Sequence, residues 1–238
     1  MKAMIFSAGL GTRLQPLTNI KPKAMVEVHG KPMLGHLIHK LARHGVKDFV
    51  VNVHHFSGQI KKYLSTPEFD DYKISVSDER KQLLDTGGGL KKARHLLYDD
   101  EPVLVHNVDV WHNIDIPYLL DYHQARSSLS TLAVSNRKTS RYLLFDKHLR
   151  LSGWKNEKTG ESRMIGPNVQ VKRQLAFSGI QVLSQDFLDM MVGEGKFSII
   201  ETYLNLARDY DIHGWEHDPS VWLDLGKPEA IKKANPGW

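Results

Sequence analysis

Short apolar runs alternate with amphipathic stretches through the first half of the chain. Residues 3–7 (AMIFS) read as a buried strand, and residues 33–44 (MLGHLIHKLARH) space their apolar side chains as a helix does, just after Pro32. Gly45 stops that helix, and residues 48–53 (DFVVNV) form the next strand. A helix over 56–64, a strand over 73–77, a helix over 88–97 entered through three glycines and a strand over 103–107 (VLVHN) follow. Strands joined by such helices make βαβ crossovers. The pattern therefore predicts an α/β fold, a single Rossmann-like domain over 1–238 with a mostly parallel twisted sheet and helices on both faces.

The second half changes character. Residues 131–135, 143–146, 149–154 and 175–183 read as strands with few helices between them. Helices return over 186–191 and 198–209, and strands over 212–215 and 221–223. Residues 155–172 (KNEKTGESRMIGPNVQVK) are polar and contain glycine, which predicts a mobile loop over a site. No repeat, low-complexity tract or linker divides the chain.

Composition narrows the function classes. The chain is 41% hydrophobic and 25% charged, ordinary for a globular protein, so its composition gives no sign of disorder. It has no cysteine, which excludes disulfides, thiolate nucleophiles and cysteine-ligated metals, and fits a cytoplasmic setting. The net charge of +5 is not gathered into a long basic run, so an anionic small substrate fits better than nucleic acid. The opening MKAMIFSAGLGTR has too short an apolar run for a secretion signal, and no stretch has the ~18 apolar residues of a membrane helix. Thirteen histidines show no H-E-x-x-H or comparable metal spacing.

The chemistry gathers after the first strand, in GLGTRLQPLTNIKPKAM (9–25). Glycines there let backbone amides approach phosphate oxygens. The segment is not a P-loop, because no Gly-Lys-Ser/Thr follows, and it lacks the third glycine of the dinucleotide fingerprint. What remains is G-x-G-T-R with Lys23 ten residues after Arg13, a guanidinium and an ammonium able to meet one polyphosphate from two sides.

This segment, followed by VEVHGKPMLGHLI, resembles the signature of the sugar-1-phosphate nucleotidyltransferases, also called NDP-sugar pyrophosphorylases. The resemblance continues through LLDTGGGLKKA (83–93), LVHNVDVW (104–111), FSGI (177–180) and VWLDLGKPE (221–229). Within the family, TGGG, NxDVW and FSGI in so short a chain are most similar to the N-acetylmuramate 1-phosphate uridylyltransferases of cell-wall (peptidoglycan) recycling. Heptose and mannose 1-phosphate guanylyltransferases stand close by.

The resemblance implies the nucleotide-diphospho-sugar transferase type of fold, with a nucleotide-binding half over 1–125 and a sugar-phosphate half over 126–238. It also implies Mg²⁺ as cofactor, and a nucleoside triphosphate and a sugar 1-phosphate as substrates. The sugar-phosphate oxygen would attack the α-phosphorus in line and displace pyrophosphate. Ala8, Gly9, Gly11 and Thr12 would cradle the nucleotide, Arg13 the leaving β and γ phosphates, and Lys23 the α-phosphate. Asp109 and Asp224 would hold the metal, Asp109 beside the nucleotide as well. Thr86 and Gly87 would meet the base, with Glu79, or Gln82 should the register slip, as the side-chain contact. Ser178 and Gly179 would line the sugar pocket.

Where many hexose transferases carry Glu-Lys-Pro, this chain reads Trp154-Lys155-Asn156. Arg141, Lys155 and Arg163 then become candidate cations for an acidic sugar, unless they only decorate a solvated loop. Trp111 and Trp222 flank the two aspartates and could shield the site or pack the core. Two alternatives remain open: a guanylyltransferase for heptose or mannose 1-phosphate, and a regulatory protein that binds a sugar nucleotide without catalysis. A monomer or small dimer is expected.

Overall fold

The computed structural model describes residues 1–234. Strand β1 (Lys2–Phe6) runs into three short 3-10 turns, Thr12–Leu14, Leu17–Asn19 and Lys23–Met25, where Pro16 and Pro22 prevent a continuous helix. A small ribbon, β2 (Glu27–Val28) and β3 (Lys31–Pro32), leads into α1 (Met33–Arg43). Then come β4 (Asp48–Val53), α2 (Ser57–Leu64), β5 (Lys73–Asp78), α3 (Asp85–Leu97), β6 (Val103–Asn107), β7 (Val110–His112) and α4 (Ile116–Ala125). The second half holds β8 (Ser130–Ser135), β9 (Arg141–Phe145), β10 (Leu151–Asn156), β11 (Ser162–Met164), β12 (Arg173–Leu183), α5 (Gln185–Asp189), α6 (Ile199–Leu206), β13 (Ile212–Glu216), β14 (Trp222–Asp224) and α7 (Pro228–Ile231).

The central ten-stranded sheet runs β11-β10-β9-β12-β6-β1-β4-β5, with β8 on β12 and β13 on β8. It is mixed. The pairs β1–β4, β1–β6 and β4–β5 are parallel, whereas β12 pairs antiparallel with β6, β8 and β9. The order turns back at β1, because β4 lies on one side and β6 on the other. Such a reversal opens a crevice at the carboxyl ends of the strands.

Alternation along β1 explains the two layers of helices. Ala3 and Ile5 face one core with Leu34, Ile38 and Leu41 of α1, Ile60 of α2 and Leu119 of α4. Met4 faces the other, with Leu90 and Leu97 of α3, Phe187 of α5 and Tyr203 of α6. Each fully buried side chain of this size contributes about 2 kcal/mol.

Several elements depart from the sequence pattern. Residues 155–172 are not one open loop: Gly153 pairs with Met164 and Lys155 with Ser162, so β10 and β11 form a hairpin. Helix α4 has no counterpart in the apolar pattern, although its start is well marked. Asp115 accepts from the Tyr118 amide at 3.0 Å, and Pro117 sits in its first turn. Helix α3 begins at Asp85, three residues before the expected start, so all three glycines lie inside the helix. Among the described residues, no helix is long and apolar enough to cross a membrane.

Candidate active site

Two elements distant in sequence bring the aspartates together. Beyond β6, the Val108 amide donates to the Phe6 carbonyl at 3.1 Å and fixes the turn that carries Asp109. Strand β7 then pairs with β14, setting Val110 opposite Asp224, and the Leu225 amide donates to the Asp109 carbonyl at 2.8 Å. Asp109 and Asp224 thus stand side by side at the carboxyl edge of β6.

Both carboxylates are held by cations from the loop after β1. Arg13 Nη1 donates to Asp224 Oδ2 at 2.9 Å, and Lys23 Nζ forms an ion pair with Asp109. Burial pushes the Asp224 carboxyl up, but the Arg13 hydrogen bond, the Gly226 amide and the charges of Arg13 and Lys23 hold it below its ordinary value. Gly226 marks where these groups converge. A Cβ there would fall 2.6 Å from Arg13 Nη2, 2.7 Å from Asp224 Oδ1 and 3.2 Å from Asp109 Oδ2.

The loop itself is shaped by Gly11, whose φ of +67° favours glycine. A Cβ on Gly11 would lie 2.8 Å from Thr18 Cγ2 and 3.0 Å from Lys23 Cβ, so glycine lets the Lys23 segment close against the loop. Thr18 Oγ1 donates to the Gly11 carbonyl at 2.8 Å, and Leu14, fully buried, anchors the turn between them. Gly9, Thr12 and Arg13 remain exposed, and Ala8 is buried.

Asn52 positions the start of that loop. Its Oδ1 accepts from the Ser7 amide at 2.7 Å and the Ala8 amide at 3.3 Å, and its Nδ2 donates to Glu79 Oε1 at 2.7 Å. Glu79 Oε2 accepts from the Leu84 amide at 3.0 Å, and Glu79 is fully buried. Both Glu79 oxygens, the expected side-chain contact with the base, are thus engaged inside the protein, so a base meeting Glu79 would share or displace these partners. Gln82 stays exposed. A Cβ on Gly89 would lie 2.7 Å from Glu79 Oε1, so that glycine lets α3 approach the carboxylate.

The backbone expected to meet the base has internal partners as well. The Gly87 amide donates to the Phe197 carbonyl at 2.9 Å, and Thr86 Oγ1 accepts from the Ile199 amide at 3.0 Å. Here the triple glycine docks α3 against the segment before α6.

On the opposite wall, Gly179 (φ +74°) sits where the β12–β8 register breaks between Phe177 and Gln181. Ser178 is buried, its hydroxyl 2.7 Å from His217 Nε2. Trp222 Nε1 donates to the Ser178 carbonyl at 2.9 Å, whereas Trp111 lies in the core, edge-on to His36. The expected sugar cations lie on the antiparallel half of the sheet. Arg141, Lys155 and Arg163 sit on β9, β10 and β11, where Lys155 pairs with Glu157 at 2.8 Å and Arg163 with Glu161 at 2.7 Å. Among the described residues, no hydrogen bond or ion pair links these three to Asp109 or Asp224.

Behind Asp109 lies a neutral histidine pair. His112 Nδ1 accepts from the Ile114 amide at 2.9 Å, so its proton is on Nε2, 2.9 Å from His106 Nε2. His106 in turn donates from Nδ1 to the Asn107 carbonyl at 2.8 Å. Burial pushes His106 down to about 3 and His112 down as well. Lys40 donates to the His112 carbonyl, and burial lowers it to about 8.

Asn52, His217 and Arg137, all part of this neighbourhood, fall outside the sequence motifs, and Gly226, inside VWLDLGKPE, is given no role there. The only prior signal for Asn52 is an amide near the end of an otherwise apolar strand. For Gly226 it is the glycine two residues after Asp224.

Comparison with known proteins joins these observations. Residues 2–237 match the family described as nucleotidyl transferase. The chain is 46% identical over 237 residues to the N-acetylmuramate alpha-1-phosphate uridylyltransferase of Caulobacter vibrioides, covering 96% of this chain and 93% of that one. It is 28% identical over 245 residues to the glucose-1-phosphate cytidylyltransferase of Salmonella typhimurium, covering 94% and 91%. Its fold resembles that of HddC from Yersinia pseudotuberculosis, solved with GMP-PN, with a TM-score of 0.75 at 21% identity over 98% of this chain and 97% of that one.

Proposed function

This chain belongs to the nucleotidyl transferase family, and from that membership we propose that it transfers a uridylyl group from UTP to N-acetylmuramate 1-phosphate, releasing pyrophosphate. The observation that carries the proposal is the 46% identity to the Caulobacter vibrioides uridylyltransferase over nearly the whole of both chains. The convergence of Arg13, Lys23, Asp109 and Asp224 on one spot supports it.

Transfer to phosphorus asks little covalent work of a protein; positioning and charge neutralisation dominate. Arg13, exposed and forked, binds the β and γ phosphates of the leaving group, and Lys23 binds the α-phosphate. The loop from Ala8 to Thr12 receives the nucleotide, its first amides aimed by Asn52. Gln82 is the side chain left to reach the base, with Thr86 and Gly87 shaping the wall beside it. Ser178 and Gly179 line the sugar end.

Two carboxylates facing one spot, with oxygen donors only, fit magnesium, which favours one or two carboxylates together with phosphate oxygens and water. Asp109 and Asp224 would hold it, and when bound it neutralises and orients the phosphates. The two halves then divide the work, 1–125 for nucleotide and 126–238 for sugar phosphate. A cysteine-free enzyme supplied with UTP fits the cytoplasm.

The test is pyrophosphate release, crossing UTP, GTP, CTP, ATP and dTTP against sugar 1-phosphates that include N-acetylmuramate. A signal with UTP and the muramate supports the proposal. GTP with a heptose or mannose 1-phosphate would replace it, and nucleotide binding without pyrophosphate would point to a regulatory protein. Asp109→Asn is expected to keep its fold by circular dichroism and to lose turnover with Mg²⁺; an undiminished rate would remove Asp109 from the metal site.

A further inference from the structure

The cleft wall beside Asp224 contains a cation without an anion. Arg137 Nη2 donates to the Phe177 carbonyl at 2.7 Å, and its guanidinium carbon lies 3.8 Å from the centre of the Trp222 ring. Trp222 is itself tied to the Ser178 carbonyl. The guanidinium is therefore clamped between the Ser178–Gly179 bulge and a strand that ends, two residues on, at Asp224. Its Nε is buried without a partner.

A clamped, half-buried guanidinium normally has a carboxylate, since stripping water from an unpaired charge is costly. Arg137 has none: among the described residues it joins no salt bridge. Asp218, close enough to act on it electrostatically, is already committed, accepting from Ser135 Oγ at 3.0 Å and the Asn136 amide at 2.7 Å. Burial lowers the Arg137 pKa, only partly offset by Asp224, Tyr142 and Asp218. Lys155 and Arg163, by contrast, already hold Glu157 and Glu161.

We propose that Arg137 binds an oxyanion of the incoming sugar substrate, on the floor formed by Trp222 and the Ser178–Gly179 bulge. The assignment rests on the sugar 1-phosphate transferase proposal above. N-acetylmuramate 1-phosphate offers two such groups, its phosphate and its lactyl carboxylate, and a guanidinium fork suits either.

The experiment compares Arg137→Met and Arg137→Lys with the unaltered enzyme. It measures KM for sugar and for UTP, calorimetric affinity for each sugar 1-phosphate without nucleotide or metal, and Tm. N-acetylmuramate 1-phosphate is set against N-acetylglucosamine 1-phosphate, which lacks the carboxylate. Arg137→Met is expected to raise the sugar KM and Kd about 10- to 100-fold, the scale of one hydrogen bond to a charged group, with the UTP KM little changed. Arg137→Lys should recover part of the loss. Weakening confined to the muramate assigns the carboxylate; equal weakening of both sugars assigns the phosphate. Sugar affinity unchanged in Arg137→Met would overturn the proposal. So would a lower Tm with sugar and UTP affected alike, since Arg137 would then only prop Trp222. If the unaltered enzyme uses neither sugar, the muramate proposal fails on its own, and the same variants are run with whichever sugar 1-phosphate the substrate grid identifies.

Discussion

At the scale of single residues, the candidate site depends on side chains whose geometry no shorter or differently shaped group reproduces. Arg13 reaches Asp224 through Nη1 while Nη2 points to the spot beside Gly226. Arg13→Lys replaces a planar fork with a point charge, so pyrophosphate release should fall about 100-fold, the scale of losing one transition-state donor. An unaltered rate would make Arg13 a structural residue. Glu79 acts one step removed. Its two oxygens accept from Asn52 and the Leu84 amide, and Asn52 aims the Ser7 and Ala8 amides. Glu79→Gln keeps the shape but can accept at only one of those positions. It should cost about 1–3 kcal/mol in urea unfolding and weaken nucleotide binding without touching the nucleotide. The cations and aspartates were legible because they stand in long motifs. Glu79 and Asn52 were not, because a buried polar bridge between three elements has no spacing in sequence; it exists only once β4, β5 and α3 are packed.

Elements carry the next level. The ribbon of β7 and β14 is three residues deep, yet its register, with the Leu225 amide bonded to the Asp109 carbonyl, brings Asp109 beside Asp224. The apolar run at 221–223 marks β14 in the sequence, shifted by one residue, whereas nothing in the apolar pattern marks β7. The hairpin of β10 and β11 was hidden for a related reason: β11 is exposed on both faces, so burial leaves no apolar alternation, and only the turn at Gly160 (φ +74°) hints at it. The early start of α3 follows from contact. Gly88 lies so close to the Gly195 carbonyl that no side chain fits. The histidine pair joining β6 to β7 makes the element-scale prediction. Both rings are neutral when folded, His106 down to about 3 from 6.5, and take up protons when unfolded below 6.5. The unfolded chain thus binds more protons between those values. Stability falls as pH drops from 6.5 toward 3, by up to about 1.4 kcal/mol per unit for each ring. Urea midpoints across that range should show the slope, and His106→Gln should flatten it; an equally steep slope in the variant would exclude the pair as its source.

Over the whole molecule, the sequence pattern and the structure agree best where strands are buried on both faces. Runs such as VLVHN and DFVVNV could only lie between two helix layers, and they form the parallel centre of the sheet. The antiparallel half was legible as strands but not as a topology. The pairing of β12 with three different partners comes from a bulge, and no periodicity encodes a bulge. The two ion pairs across the cleft, Arg13 with Asp224 and Lys23 with Asp109, extend their consequence to the protein as a binding machine. On the roles proposed above, each phosphate-binding cation is occupied by a metal-binding carboxylate, so either ligand arriving alone must displace a counter-ion, while both together exchange partners without stranding a charge. Nucleotide and divalent ion should therefore bind with positive heterotropic cooperativity. Linkage requires that the factor by which Mg²⁺ tightens UTP equal the factor by which UTP tightens Mg²⁺. Calorimetric titrations in both orders, corrected for the complex that UTP and Mg²⁺ form in free solution, would give that factor; a value of one would mean the ion pairs open at no cost to either ligand.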